Sequence, residues 1–149
     1  MSTPPLAAPA AVSPALVPPA ARAEGRPAHR GRRAYWAVTG LLAAFIALGA
    51  LFDVSRAPPA VAGITHLGYP AYLVRYLGVL KLLAVAALFV RGRPRLTEWA
   101  YAGLFFDTSG ALYSAAAVGD PVATWLPAAA GVALTLGSYA LYHAGGRDR

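Results

Sequence analysis

Residues 77–90, LGVLKLLAVAALFV, lead through a basic turn at 91–97, RGRPRLT, into residues 98–114, EWAYAGLFFDTSGALYS. Two strongly apolar stretches flank the turn, and each carries a charge deep inside it: Lys81 in the first, Asp107 in the second. If both are helices crossing a bilayer in opposite directions, Lys81 lies nine residues before Val90 and Asp107 nine residues after Glu98. At a rise of about 1.5 Å per residue, each charge sits about 13 Å from the basic turn, near the middle of a hydrocarbon core about 30 Å thick. A lone charge there costs about 2.5–3.5 kcal/mol on insertion scales, and an opposite charge at equal depth offsets part of that cost. The hairpin therefore predicts a Lys81–Asp107 pair as the central polar feature of an all-α integral membrane protein.

Composition agrees with that reading. The chain has 149 residues, room for one domain, with 58% hydrophobic and only 13% charged residues. Soluble proteins carry about a quarter charged residues, so a solvated surface would be hard to assemble here. The net charge of +7 invites a nucleic-acid reading, but the arginines cluster between apolar runs and not along one face. No nucleic-acid partner is predicted. Cysteine is absent, which excludes disulfides, thiol redox chemistry and cysteine-ligated iron–sulfur or zinc sites. Twelve arginines against one lysine, with abundant Ala, Pro and Gly, suggest a GC-rich bacterial source.

Residues 1–34 hold seven of the thirteen prolines in Ala-rich sequence, which predicts a disordered tail; its basic end, Arg22 to Arg33, reads first as solvated chain held on the cytoplasmic side, with attraction to anionic lipid the alternative. Four spans follow, at about 35–53, 71–90, 98–118 and 125–143, before a short tail at 144–149. In the first span Gly40, Ala43, Ala44, Ala47 and Ala50 make a small-residue face, and Asp53 falls at its far, water-accessible end. Residues 54–71 read as a loop, broken by Pro58-Pro59, with Pro70 in the first turn of the next helix. Arg75 lies near the outer end of the second span, where it snorkels outward or meets Asp53. Thr97 is the expected N-cap of the third span, with Glu98 complementing the helix dipole. Along that span Ala100, Gly103, Asp107, Gly110, Ala111 and Ser114 recur at three- and four-residue spacing, which predicts that Asp107 faces protein.

The tail, the 91–97 turn and the C-terminal end carry ten of the thirteen Lys and Arg residues, and the two opposite loops carry only Arg56. The positive-inside rule then predicts a four-helix bundle with both termini in the cytoplasm. Aromatic residues fit two interfacial belts: Tyr35, Trp36, Trp99, Tyr101, Tyr139 and Tyr142 at the inner edge, with Tyr69, Tyr72, Tyr113 and Trp125 at the outer.

Three ordered blocks carry a family likeness: residues 66–70 (HLGYP), 77–83 (LGVLKLL), and 98–103 (EWAYAG) with Phe106-Asp107 and Gly110-Ala111. Over residues 35–143 the chain resembles the DoxX-like family of small bacterial membrane proteins. Members commonly follow the third-span serine with a histidine, whereas Ser114 here precedes Ala115. The resemblance implies a four-helix membrane bundle in the bacterial inner membrane. Its founding relatives are linked to quinol oxidation and to thiosulfate:quinone oxidoreductase, which makes a quinone the implied ligand.

An intramembrane ionisable residue is by default a candidate site. The candidate binding residues are Lys81, Asp107, Ser114, Arg75, Asp53 and His66, with Lys81 donating to a carbonyl oxygen and Asp107 exchanging a proton. The competing reading is an ion pair that only fixes helix register, in a structural or assembly subunit. His66 joins Asp53 and Arg75 at the outer surface or, by the simpler reading, shapes the loop with Tyr69-Pro70. His66 and His143 lie on opposite sides, so they cannot jointly hold a haem, and no metal-ligand spacing occurs. No intrinsic cofactor is predicted, so electrons come from a redox partner protein or a bound ligand. Homo-oligomerisation is permitted by the small-residue faces. A small multidrug exporter of dual topology is disfavoured by the ten-to-one charge bias and the uncharged interior of the first span. An isomerase acting on a lipid ring stays open.

Overall fold

The computed structural model describes residues 28–90 and 92–145, with side chains placed from residue 31. Those residues are all-helical, with five helices and no strand among them: α1 Ala28–Val54, α2 Pro58–His66, α3 Leu73–Leu88, α4 Pro94–Ala117 and α5 Val122–Gly145. Most of the expected tail, residues 1–27, and the C-terminal 146–149 lie outside the described residues. Residues 28–34, expected to be disordered, belong to α1. Pro27 is the last proline before Pro58, so nothing in between removes a backbone donor from the helix.

Helix α1 packs on α3 and α5, and α4 packs on α5 and α3, so contacts close a circuit α1–α3–α4–α5. The buried stripe of α1 is Tyr35, Thr39, Leu42, Ala43, Ile46 and Ala50, the three-and-four spacing of one helix face. The apolar core lies in the half of the circuit away from α2 and joins Leu42 and Ile46 to Ala87, Leu88, Ala100, Tyr101 and Leu104. Polar side chains hold the same level: Tyr101 and Thr39 each lie 2.7 Å, hydroxyl to hydroxyl, from Ser138 of α5. Tyr101 was expected in an interfacial belt, but it is 2% exposed, because its hydroxyl finds a partner inside. Trp99 and Tyr113 do point outward.

Two glycines set how closely the helices approach. A Cβ built on Gly78 would lie 2.7 Å from the Asp53 Cβ and 2.9 Å from the Val54 backbone nitrogen, so α3 touches the main chain of α1 there. A Cβ on Gly131 would lie 2.8 Å from Thr108 Cγ2, the corresponding close approach of α5 to α4. The small-residue face read on α4 divides differently. Ala100 and Ser114 are buried, but Gly103, Gly110 and Ala111 are exposed, because Thr97, Tyr101, Leu104 and Thr108 take the face toward the interior.

Local starts and stops also differ from the sequence reading. Residues 54–71 contain α2, which Pro58 and Pro59 start instead of merely ending α1, since proline suits the first helical positions. Pro70 lies outside α3, which begins at Leu73, and its carbonyl accepts from the Leu73 N–H. Helix α4 begins at Pro94 with Arg93 as its N-cap, so Thr97 is a buried first-turn residue whose hydroxyl reaches back to the Arg93 carbonyl. Pro94 starts that helix four residues early for the same reason as Pro58.

Large apolar side chains face outward on all four long helices, among them Leu41, Leu48, Leu83, Phe106 and Leu126. Such a continuous apolar exterior is foreign to soluble monomers. Two segments, Gly31–Val54 and Val122–Gly145, are long and apolar enough to cross a membrane. Helix α3 has 16 residues, about 24 Å. Helix α4 has 24 residues, but its first turns hold Arg95 and Glu98 and its middle holds Asp107.

Candidate functional site

Lys81 sits midway along α3 and donates from Nζ to Asp53 Oδ2 at 2.9 Å. Asp107 Oδ2 lies 3.5 Å from the same nitrogen. The centre is thus one ammonium between two carboxylates drawn from three helices, and the closer carboxylate is the one expected at the water's edge. Asp53 is only 16% exposed, against 22% for Lys81 and 20% for Asp107. The reason is the direction of side chains on antiparallel helices. Each Cα–Cβ bond tilts toward its own N-terminus, so Asp53 leans inward from the end of α1 while the Lys81 stem leans outward along α3. Gly78, one turn before Lys81, removes the Cβ that would hold the helices apart.

The turn that ends α1 also fixes Asp53. The Arg56 N–H bonds to the Asp53 carbonyl and the Ala57 N–H to the Phe52 carbonyl, with Arg56 at φ 54°, a Schellman arrangement. Arg75 does not meet Asp53; its Nε donates to the Val54 carbonyl at 3.3 Å, a neighbouring acceptor of the same helix end.

Ser114 and His66 belong elsewhere. The Ser114 hydroxyl lies 2.9 Å from the Tyr69 hydroxyl, and the His66 imidazole Nε2 lies 2.7 Å from Asp120 Oδ1. These two contacts tie the α2 connection to α4 and to the α4–α5 turn. The six candidates therefore form three groups: Lys81, Asp53 and Asp107 together, Arg75 beside them on backbone, and Ser114 and His66 in a clasp at the α2 end of the bundle. Asp120 and Tyr69 were missed as partners, since turn residues show no periodicity to align them. His143, read as interfacial, bonds through Nε2 to Glu98 Oε1 at 2.9 Å and packs its ring on Tyr139 and Tyr142.

Asp107 is reached from one side. Gly103 and Gly110, at four residues before it and three after, lie above and below it on the same face of α4, and both are exposed. Apart from the adjoining residues and the backbone of α4 itself, no atom lies within 4 Å of where either glycine's Cβ would be. Between them the Asp107 side chain is 20% exposed, with the Lys81 ammonium 3.5 Å from its carboxylate.

The sequence model of the DoxX-like family matches residues 37–138 of this chain. No curated protein and no solved structure matches it.

Proposed function

Since the chain belongs to the DoxX-like family, we propose that it is a four-helix membrane bundle, with both termini in the cytoplasm of a bacterial inner membrane, that binds the head group of a quinone or similar lipid-soluble ligand in a membrane redox system. The observation that carries this reading is the Lys81–Asp53–Asp107 cluster beside the open Gly103 and Gly110 positions. Ionisable side chains at membrane depth are functional candidates by default, and all three here keep about a fifth of their surface uncovered. Lys81 orients an oxygen of the head group through its ammonium, Asp107 offers or accepts a hydrogen bond at the rim, and Asp53 holds Lys81 in place. A quinone supplies two-electron, two-proton redox capacity when bound, and its electrons come from or pass to a partner protein. Family membership supports a DoxX-like membrane protein, and fold kinship by itself assigns no chemistry.

A second reading is favoured by one observation: Lys81 is engaged by both carboxylates, as in a cluster that serves only helix packing. Extraction of bound lipids from the purified protein, followed by mass spectrometry and titration with a short-chain quinone, separates the two. A quinone retained by the wild type, and lost from Lys81→Met and Asp107→Asn variants that keep their helix content, supports the binding site. Variants that lose thermal stability, from a wild type that never binds added quinone, leave a packing cluster in a structural subunit.

A further inference from the structure

Two carboxylates face one ammonium in this cluster, and no other charge joins them. Among the described residues, Lys81 is the one cation in ion-pair contact with Asp53 or Asp107. Two further cations lie near Asp53 and keep their charge outside ion-pair distance of both carboxylates: Arg75, whose Nε donates to the Val54 carbonyl, and Arg56, whose backbone N–H bonds the Asp53 carbonyl. Helix α5, packed against both α1 and α4, has no charged side chain before His143, which pairs with Glu98. On the outer side His66 is paired with Asp120. With all three groups ionised, the cluster carries a net charge of −1 in a setting that is four-fifths covered by protein.

We infer that the cluster holds one exchangeable proton, carried by its two carboxylates and resting on Asp107. Asp53 has the 2.9 Å bond from Lys81, while Asp107, at 3.5 Å and with its side chain 20% exposed, takes the proton. The proton comes from water, adds to a carboxylate oxygen and leaves as it came; no other bond changes. Its uptake makes the cluster neutral, the form that low-polarity surroundings favour. This deepens the proposed reading of the same site, and it rests on that reading for one consequence. A protonated Asp107 is a donor, so the ligand it recognises presents an oxygen acceptor such as a ring carbonyl. Affinity for that ligand is highest at low pH and falls tenfold per pH unit once the carboxyl ionises.

Infrared spectroscopy of the full-length protein in lipid, at about pH 7 where water-exposed carboxyls are ionised, counts the protons directly through the carboxylic-acid C=O band and its shift in heavy water. The expected count follows charge balance. The wild type shows one such band; Asp53→Asn and Asp107→Asn each abolish it, because one carboxylate then balances one ammonium; Lys81→Met doubles it. Asparagine is close to isosteric with aspartate, and either Asn variant alone suffices if the other fails to fold. A wild type with no band, or an Asn variant that keeps it, overturns the inference. Titration with a short-chain quinone across pH separates the two claims. A band without quinone binding leaves the proton site and removes the quinone. Binding that does not vary with pH, from a protein lacking the band, does the reverse.

Discussion

Lys81 is the one lysine in the chain, and its flexible four-carbon stem reaches two carboxylates at different heights on different helices. Replacing it with methionine leaves two acids unpaired, and we expect the protein to lose about 2–3 kcal/mol, below the range for a fully buried pair because water or lipid head groups reach the rim. Asp53→Asn should cost more than Asp107→Asn, since it breaks the shorter contact; thermal unfolding in detergent ranks them, and the opposite order would show that Asp107 anchors Lys81. Gly78→Ala should lower stability by about 1–3 kcal/mol, because the added methyl meets backbone and Asp53 Cβ has nowhere to move. Substituting Gly103 by alanine in the same assay should change little, as its Cβ position is open. At this scale the sequence shows the Lys81–Asp107 meeting, since equal distance from a short turn is simple arithmetic. It hides Asp53, whose contact depends on the lean of side chains and on a glycine twenty-five residues away.

Helix boundaries follow from prolines and from caps, and the two are unequally legible. Pro58 and Pro94 start their helices, which a reading of proline as a breaker misses. Arg56 ends α1 in a left-handed conformation that glycine adopts without steric cost. Arg56→Gly should therefore raise stability by about 1 kcal/mol, with the Asp53 contact preserved; an unchanged or lower melting temperature would show that the arginine side chain contributes at that end. Helix α2 buries none of its residues, so its place depends on the His66–Asp120 and Tyr69–Ser114 contacts. The histidine is well exposed, and such pairs contribute about 0–1 kcal/mol. His66→Ala is accordingly expected to quicken amide exchange over α2 by up to about fivefold while leaving global unfolding unmoved. The small-residue spacing of α4 is real in the sequence. Its orientation follows Tyr101, whose hydroxyl meets Ser138 of α5, and Thr108, which packs against Gly131, and spacing alone does not report that.

Across the whole molecule, charge asymmetry and the outward apolar surface both suit a bilayer, and the absence of cysteine makes topology open to a clean test. With four spans, Ser55→Cys reacts with a membrane-impermeant maleimide from outside intact cells, and Arg95→Cys reacts only after the membrane is opened. If α1 and α5 alone crossed, both positions would label from outside. The closed circuit of helices also bears on synthesis. Thr39 of α1 is satisfied by Ser138 of α5, ninety-nine residues later in the chain, and Tyr101 waits for the same hydroxyl. During translation α1 is made before that partner exists, and α4, which carries Tyr101, joins it in the same state. The last helix relieves both at once. A nascent chain stalled before α5 thus leaves Thr39 and Tyr101 without the hydroxyl they share, a chemical mark of incompleteness that disappears when the final helix docks.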